Sequence, residues 1–307
     1  MSPMTTTDSL AGRIALVAGA TRGCGRAIAT ELGALGATVY VTGRSTRDGR
    51  SVMDRPETIE ATAERVTAAG GTGIAVRCDH SDPADVKALV DRVANDHGRL
   101  DVLVNDVWGG DPFTTWGKTV WEHSLDATLT IVRNGIETHL ITSHLAIPLV
   151  LESNDGLVIE VGDGKGDAPY RTNVPYDLVK TAVVRLGEAL AWELGPHGAT
   201  ALSVTPGFLR SEMMLDTFGV TEETWREAAE RVGYFEHSET PHLLGRGIAA
   251  LAADPERARF AGQCLGSWEL MREYDLTDAD GARPDWGAVD SEAREQSLAG
   301  GHPGAED

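Results

Sequence analysis

Short apolar runs alternate with longer stretches of helical period along most of the chain. Ile14, Ala15, Leu16 and Val17 form a continuous apolar run, as a strand buried on both faces requires. The run stops at Gly19; Gly23 and Gly25 follow, and Ala27, Ile28 and Leu32 then begin a helical repeat. Val39 to Thr42 reads as a second strand, followed by a polar, charged stretch from Gly43 to Pro56. Ile59, Ala63 and Val66 mark a helix, and Ile74 to Val76 a third strand. Asp82-Pro83 is a helix cap followed by proline at the first helical position, and Val86, Leu89, Val90 and Val93 carry that helix to Gly98. Leu100 to Val104 is a fourth strand. A long helical region is expected over Val120 to Leu151, a fifth strand over Leu157 to Val161, a periodic helix over Tyr176 to Leu194 and a sixth strand over Ala201 to Val204.

This alternation predicts an α/β fold: a Rossmann-type doubly wound parallel sheet with helices on both faces. The simplest partition is a single domain over residues 1–307, with its core at 10–270. Residues 210–245 break the pattern with Met213, Met214, Phe218, Trp225 and Phe235 among charges, which predicts a helical flap over the strand ends. Residues 1–10 read as a frayed leader. A polar extension is expected over 275–307, with disorder from Ala299 to Asp307.

Composition narrows the functional classes. A hydrophobic fraction of 41% is enough for a real core, and a net charge of −20 argues against nucleic-acid and acidic-membrane partners. No apolar run approaches the ~20 residues of a membrane span. Met1 to Asp8 lacks the basic and apolar regions of an export signal, and Cys24, Cys78 and Cys264 are far apart and odd in number. A cytoplasmic protein with free thiols is the expectation.

The strand–turn–helix at Gly19, Gly23 and Gly25 is a ready anion site. Glycines let the backbone approach a phosphate, and the free N–H groups of the helix start hold its charge. Residues 38–47, TVYVTGRSTR, contain no acid of the kind that accepts from the 2′-OH of an unphosphorylated dinucleotide. Arg44 follows the strand there and Arg22 lies in the turn, and two guanidiniums suit a 2′-phosphate. The expected cofactor is NADP(H). Tyr176 and Lys180, four apart, share a helix face. An ammonium beside a phenol stabilises the phenolate, so Tyr176 can exchange a proton near neutral pH.

With these pieces in order, the sequence resembles the short-chain dehydrogenase/reductase family. The matching residues are Ala18-Gly19-Ala-Thr-Arg-Gly23-Cys-Gly25, Cys78-Asp79, Leu103-Val104-Asn105, Tyr176-x-x-x-Lys180 and Pro206-Gly207-Phe-Leu-Arg-Ser211. Asn173-Val-Pro-Tyr176, Ala261-Gly262-Gln263, Arg272-Glu273-Tyr274 and Asp280-Gly281 are similar to the branch typified by dehydrogenase/reductase family member one. The resemblance implies hydride transfer between NADP(H) and a carbonyl or alcohol carbon, with Tyr176 exchanging the proton and Lys180 holding the nicotinamide ribose. It implies that Thr21, Arg22 and Cys24 join the glycine turn. Arg44, Ser45, Asp79 and His80 then surround the adenosine end, Asn105 the adjacent ribose region, and Pro206, Gly207, Leu209 and Ser211 the carboxamide and phosphate. A homodimer or homotetramer is implied in the same way, through helices ending near Leu151 and Leu194.

Two positions depart from the family. Its catalytic serine, thirteen residues before the tyrosine, falls on Asp163, and its helper asparagine falls on Thr128. Loss of one such donor costs ~10²–10³ in rate in comparable sites. An ionised Asp163 beside Tyr176 also opposes the phenolate, since unit charges about 4 Å apart interact by ~4 kcal/mol at an effective dielectric of 20. Either Asp163 is protonated and donates as serine does, or it stays charged and binds a substrate hydroxyl, amine or iminium. The expected enzyme is biased toward reducing a carbonyl or imine of a small to medium, partly apolar molecule. Trp108, Thr128, Asp163, Tyr170 and Met213 are the candidate substrate contacts, and Asp106 stands where the family has a second asparagine. The rival reading is a coenzyme-binding sensor or scaffold without turnover. Glu160, Asp163 and Asp167 lack a matching His or Cys cluster, so no metal is expected. His139 and His144 read as helix-surface or interface residues.

Overall fold

The computed structural model describes residues 9–50, 53–166 and 170–289. In chain order the regular elements are β1 (Ile14–Ala18), α1 (Gly23–Ala34), β2 (Thr38–Gly43), α2 (Ile59–Ala68), β3 (Thr72–Arg77), α3 (Pro83–His97) and β4 (Val102–Asn105). Then come α4 (Leu125–Val132), α5 (Thr138–Val150), β5 (Leu157–Val161), α6 (Val174–Leu194) and β6 (Thr200–Thr205). The last are α7 (Glu212–Phe218), α8 (Arg226–Ala229), α9 (Pro241–Ala253), β7 (Cys264–Gly266) and α10 (Ser267–Glu273).

All strand pairings are parallel, in the order β3-β2-β1-β4-β5-β6-β7. The fold is the doubly wound parallel sheet that the alternating pattern predicts. Each strand alternates its apolar side chains between two cores. One core joins Val17, Val41 and Ile159 to Ile28 and Leu32 of α1, Val66 of α2 and Ile248 of α9. The other joins Leu16, Leu103 and Val158 to Leu89 of α3, Leu149 of α5 and Leu190 of α6. The strand order reverses between β1 and β4, which opens a crevice at their carboxyl ends.

Several expectations shift. Leu10 is buried and its N–H donates to the Leu35 carbonyl, so the ordered chain begins before residue 11. The helix expected from Val120 begins only at Leu125, where Ser124 caps it, and a π-helical turn over 133–137 joins α4 to α5. The flap is shorter than expected. Helices α7 and α8 and the turn at Phe235–His237 gather Val220, Trp225 and Phe235 into a small core of their own, but α9 packs on α1 beneath the sheet. Strand β7 is too short for its sequence to show a period. Within the polar stretch after Leu276, Val289 is buried and the Trp286 ring lies 5.8 Å from that of Phe208. Ala299 to Asp307 and Asp167 lie outside the described residues.

Gly187 sets how closely α6 lies on the sheet, since a Cβ there would stand 2.9 Å from the backbone of Leu202 and Ser203. Gly187→Ala forces the helix outward, so a loss of ~1–3 kcal/mol in urea unfolding is expected, as for other overpacked cores. Unchanged stability would show that α6 has room to spare.

Candidate active site

The glycine turn folds as its composition requires. Gly19 has φ +86°, and a Cβ on it would lie 2.4 Å from the Asp106 carbonyl oxygen. Gly23 opens α1 at φ +56°. Gly25 plays a different part from the one expected. It does not line the cavity; its missing Cβ, which would sit 2.4 Å from the Gly19 oxygen, lets α1 seat against the turn. The Gly23 N–H donates to Oε2 of Glu212 at 3.0 Å, and Arg26 pairs with the same carboxylate. A flap carboxylate thus rests where a helix start favours an anion.

Arg22, Arg44, Ser45, Asp79 and His80 line the crevice past the ends of β2 and β3 and in the glycine turn. Arg44 Nη1 lies 3.9 Å from Asp79, whose carboxylate accepts from the Ser81 N–H and hydroxyl at 3.0 and 2.7 Å. The His80 ring bridges the Thr42 and Thr142 hydroxyls at 2.8 Å each. Burial, reinforced by His139, lowers its pKa to about 4, so it is a neutral link. Burial holds the Cys24 thiol far above its ordinary range, which makes it a filler rather than a reactive thiol.

Another part of the crevice is set by the start of α6. Thr172 adopts φ +57°, and the next residue, buried Asn173, caps the helix by accepting from the Tyr176 N–H at 2.9 Å. The Asn173 amide also donates to the Thr115 carbonyl, tying the helix to the loop after β4. Tyr176 is therefore fixed at its base. Its hydroxyl donates to Asp163 Oδ2 at 2.5 Å. Burial, the Asp163 charge and that hydrogen bond raise the phenol pKa well above its ordinary value. Trp108 meets the Tyr176 ring edge-on at 5.4 Å and donates from its indole N–H to Asp111. Lys180 Nζ lies 4.2 Å from the Trp108 ring centroid and 5.5 Å from that of Tyr176.

These groups share one cavity of about 580 Å³. Of the residues proposed from sequence, it is lined by Gly19, Thr21, Arg22, Gly23, Cys24, Arg44, Ser45, Asp79, His80, Trp108 and Asp163. Tyr176, Lys180, Pro206, Gly207, Leu209, Ser211 and Met213 complete that set. Asn105, Thr128 and Tyr170 do not line it. Asn105 ends β4 with its side chain turned to the opposite side, donating to Ser143 and Glu160 in a fully buried network. Thr128 precedes the π turn, and the asparagine that the helical region brings to the cavity is Asn134, which donates to the Gly109 carbonyl at 2.8 Å. Tyr170 is 53% exposed.

Other lining residues escaped sequence reasoning. His139 is buried, not on a helix surface. It pairs with Glu160 at 2.5 Å through Nδ1, and its Nε2 lies 3.0 Å from the Val107 carbonyl and so carries a proton. Asp106 lines the cavity beside the turn, and burial raises its pKa to about 7. Trp286 arrives from the polar tail. The Asn134-Gly135 pair inside an otherwise apolar helix was the available signal, because Gly135 leaves room for Val179 and Trp108.

The family profile described as short chain dehydrogenase matches residues 13–219. The chain belongs to the short-chain dehydrogenase/reductase family. It is 34% identical over 275 residues to mouse (Mus musculus) dehydrogenase/reductase SDR family member 1, covering 88% of this chain and 84% of that protein. It is 30% identical over 201 residues to the 3-oxoacyl-(acyl-carrier-protein) reductase FabG of Staphylococcus aureus, covering 65% of this chain and 75% of the relative. The Thermoplasma acidophilum aldohexose dehydrogenase shares the fold at a TM-score of 0.69 and 20% identity, covering 85% of this chain and 94% of that one. As a member of this family the protein is an oxidoreductase that uses a nicotinamide dinucleotide and acts on small molecules. Among the described residues no group of His, Cys, Asp and Glu is arranged to hold a metal, and no helix is long and apolar enough to cross a membrane.

The carboxylate beside Tyr176 gives a direct spectroscopic expectation. Asp163→Asn removes both a charge and a charged acceptor, so the Tyr176 pKa falls toward the ordinary ~10. Ultraviolet difference titration of the variant, with Tyr176→Phe to assign the signal among the five tyrosines, reads the shift. An unmoved transition would show that burial alone holds the phenol.

Proposed function

We propose that this chain is an NADP(H)-dependent reductase of a carbonyl or imine in a small to medium, partly apolar molecule, with Tyr176 as the proton donor. The observation that carries this reading is one cavity lined by the glycine turn, by Arg22 and Arg44, and by Tyr176 with Lys180. The residues fit a phosphorylated dinucleotide: the backbone cradle at Gly19 leaves no room for a side chain, and Arg22, Arg44 and Ser45 line the cavity where β2 ends without an acid. When bound, the reduced nicotinamide supplies a hydride.

The chain's own residues do the rest. Arg22 and Arg44 would hold the 2′-phosphate, and the Gly23 N–H, which donates to Glu212 in this structure, would serve the diphosphate. Lys180 holds the nicotinamide ribose, and its charge near Tyr176 steadies the phenolate left after the proton departs. The high phenol pKa favours a group that keeps its proton until an oxygen or nitrogen becomes basic, which is the direction of reduction. Met213 and the rest of the flap cover the mouth and exclude water. Glu160, His139 and Asn105 keep the floor rigid beneath β4 and β5.

Exposed apolar side chains on two neighbouring helices support a homodimer or homotetramer. Leu140 on α5, Leu151 just past its end, and Leu178 and Trp192 on α6 are all exposed, Trp192 by 86%. Trp192→Glu is then expected to lower the mass seen in sedimentation; an unchanged mass would place the interface elsewhere.

Binding and turnover test the reading together. NADPH is expected to bind at least about tenfold tighter than NADH, with Arg44→Ala removing most of that difference. Tyr176→Phe is expected to reduce NADPH-dependent turnover of a ketone and imine panel by at least ~10² while leaving coenzyme affinity within twofold. Tight NADPH binding with wild type and Tyr176→Phe equally inert would convert the protein into a coenzyme-binding sensor. Absence of binding to either coenzyme would end the reading.

A further inference from the structure

We propose that the mouth beside Tyr176 selects ligands carrying a protonated nitrogen, as cyclic ammonium and iminium compounds do, and that Asp163 is the residue that selects them. The proposal deepens the reductase reading and rests on it for the identity of the reacting end of the cavity. The preference for a cation can nonetheless be measured with no coenzyme present.

Asp163 presents an open carboxylate at the point where a substrate atom must meet Tyr176. Its side chain is 43% exposed, and Oδ2 receives the Tyr176 hydroxyl. Oδ1 accepts no hydrogen bond from the described residues. Of the neighbouring cations only Arg171 reaches Asp163: its Nη2 donates to the Asp163 backbone carbonyl and its Nε makes a long pair with the carboxylate, which leaves Oδ1 open. Arg171 Nε stays 4.0 Å from Oδ2 while its Nη1 holds Asp177 at 2.6 Å. Lys165 is held by Glu269 at 2.8 Å, and Lys180 lies over the Trp108 ring. A second carboxylate, Asp111, faces the same cavity at the edge of Trp108.

The walls agree with the charge. Trp108, Phe208 and Trp286 line the cavity, and aromatic faces attract cations. A neutral carbonyl oxygen at this point brings lone pairs toward an acceptor whose partner proton, that of Tyr176, is already engaged. A protonated nitrogen brings a donor and a positive charge to the same carboxylate, which makes a charge-assisted hydrogen bond. Replacing the family's serine by Asp163 therefore turns a donor position into an acceptor position.

Calorimetric titration of the whole protein with 1,2,3,4-tetrahydroisoquinoline, protonated at neutral pH, and with isochroman, its neutral ether isostere, tests this. Wild type is expected to bind the cation at least about tenfold tighter than the ether. Asp163→Asn and Asp163→Ser are each expected to bring the two within about twofold, by loss on the cation side alone, and Asp163→Glu to retain the preference. Equal affinities in wild type, a preference that survives both neutral variants, or no binding of the cation would each overturn the proposal. NADPH titration of the same proteins shows that the variants are folded. If wild type binds no coenzyme, the reductase reading fails while the comparison of amine with ether still stands.

Discussion

Parallel strands deliver their last backbone groups to one edge of a sheet, and at the switch between β1 and β4 the helices that follow leave in opposite directions. The gap this opens is floored by backbone, so whatever enters it meets N–H groups and the first side chains beyond each strand. Gly19 after β1, Arg44 after β2, Asp106 after β4, Asp163 after β5 and Pro206 after β6 all stand on that rim. Close approach is the condition for it to work. Gly19 lies against the Asp106 backbone and Gly25 against Gly19, so α1 presents its first N–H groups at the bottom of the crevice.

Within that frame the phenol of Tyr176 has one short contact, to Asp163. A phenol that donates to a carboxylate inside an aromatic enclosure keeps its proton more firmly than one beside an ammonium alone. The charge of Arg171 counters this only in part, and Lys180 is drawn over Trp108. The same substitution that burdens the tyrosine also changes what the mouth offers a substrate, since the carboxylate adds an acceptor and a charge to a pocket otherwise walled by Trp108, Phe208 and Trp286.

Strands β1 to β6 were legible as short apolar runs, and α1, α2, α3 and α6 by their helical period. Tyr176, Lys180, Arg22 and Arg44 were legible because their spacing is local: four residues on one helix, or one residue past a strand. The misplacements have a different origin. Thr128 was placed by matching Trp121 to Leu129 with the family pattern; the helix starts at Leu125 and carries a π turn, and Asn134 lines the cavity. Asn105 and Asp106 are adjacent, and strand alternation sends one side chain into the buried network and the next toward the turn. Trp286 and His139 come from segments whose sequence is polar or evenly apolar, with no signal of where the chain folds back.

The contact between Gly23 and Glu212 carries a consequence for how the crevice fills. A single N–H at a helix start serves one anion at a time, so a diphosphate can claim the Gly23 N–H only by evicting the Glu212 carboxylate. Glu212 is the first residue of α7, and Asp216 of that helix also bridges to Arg55 beside the β2 end of the crevice. The seating of α7 therefore rests on the same backbone donor that an anion at the turn would use, with Asp216–Arg55 as a second tether.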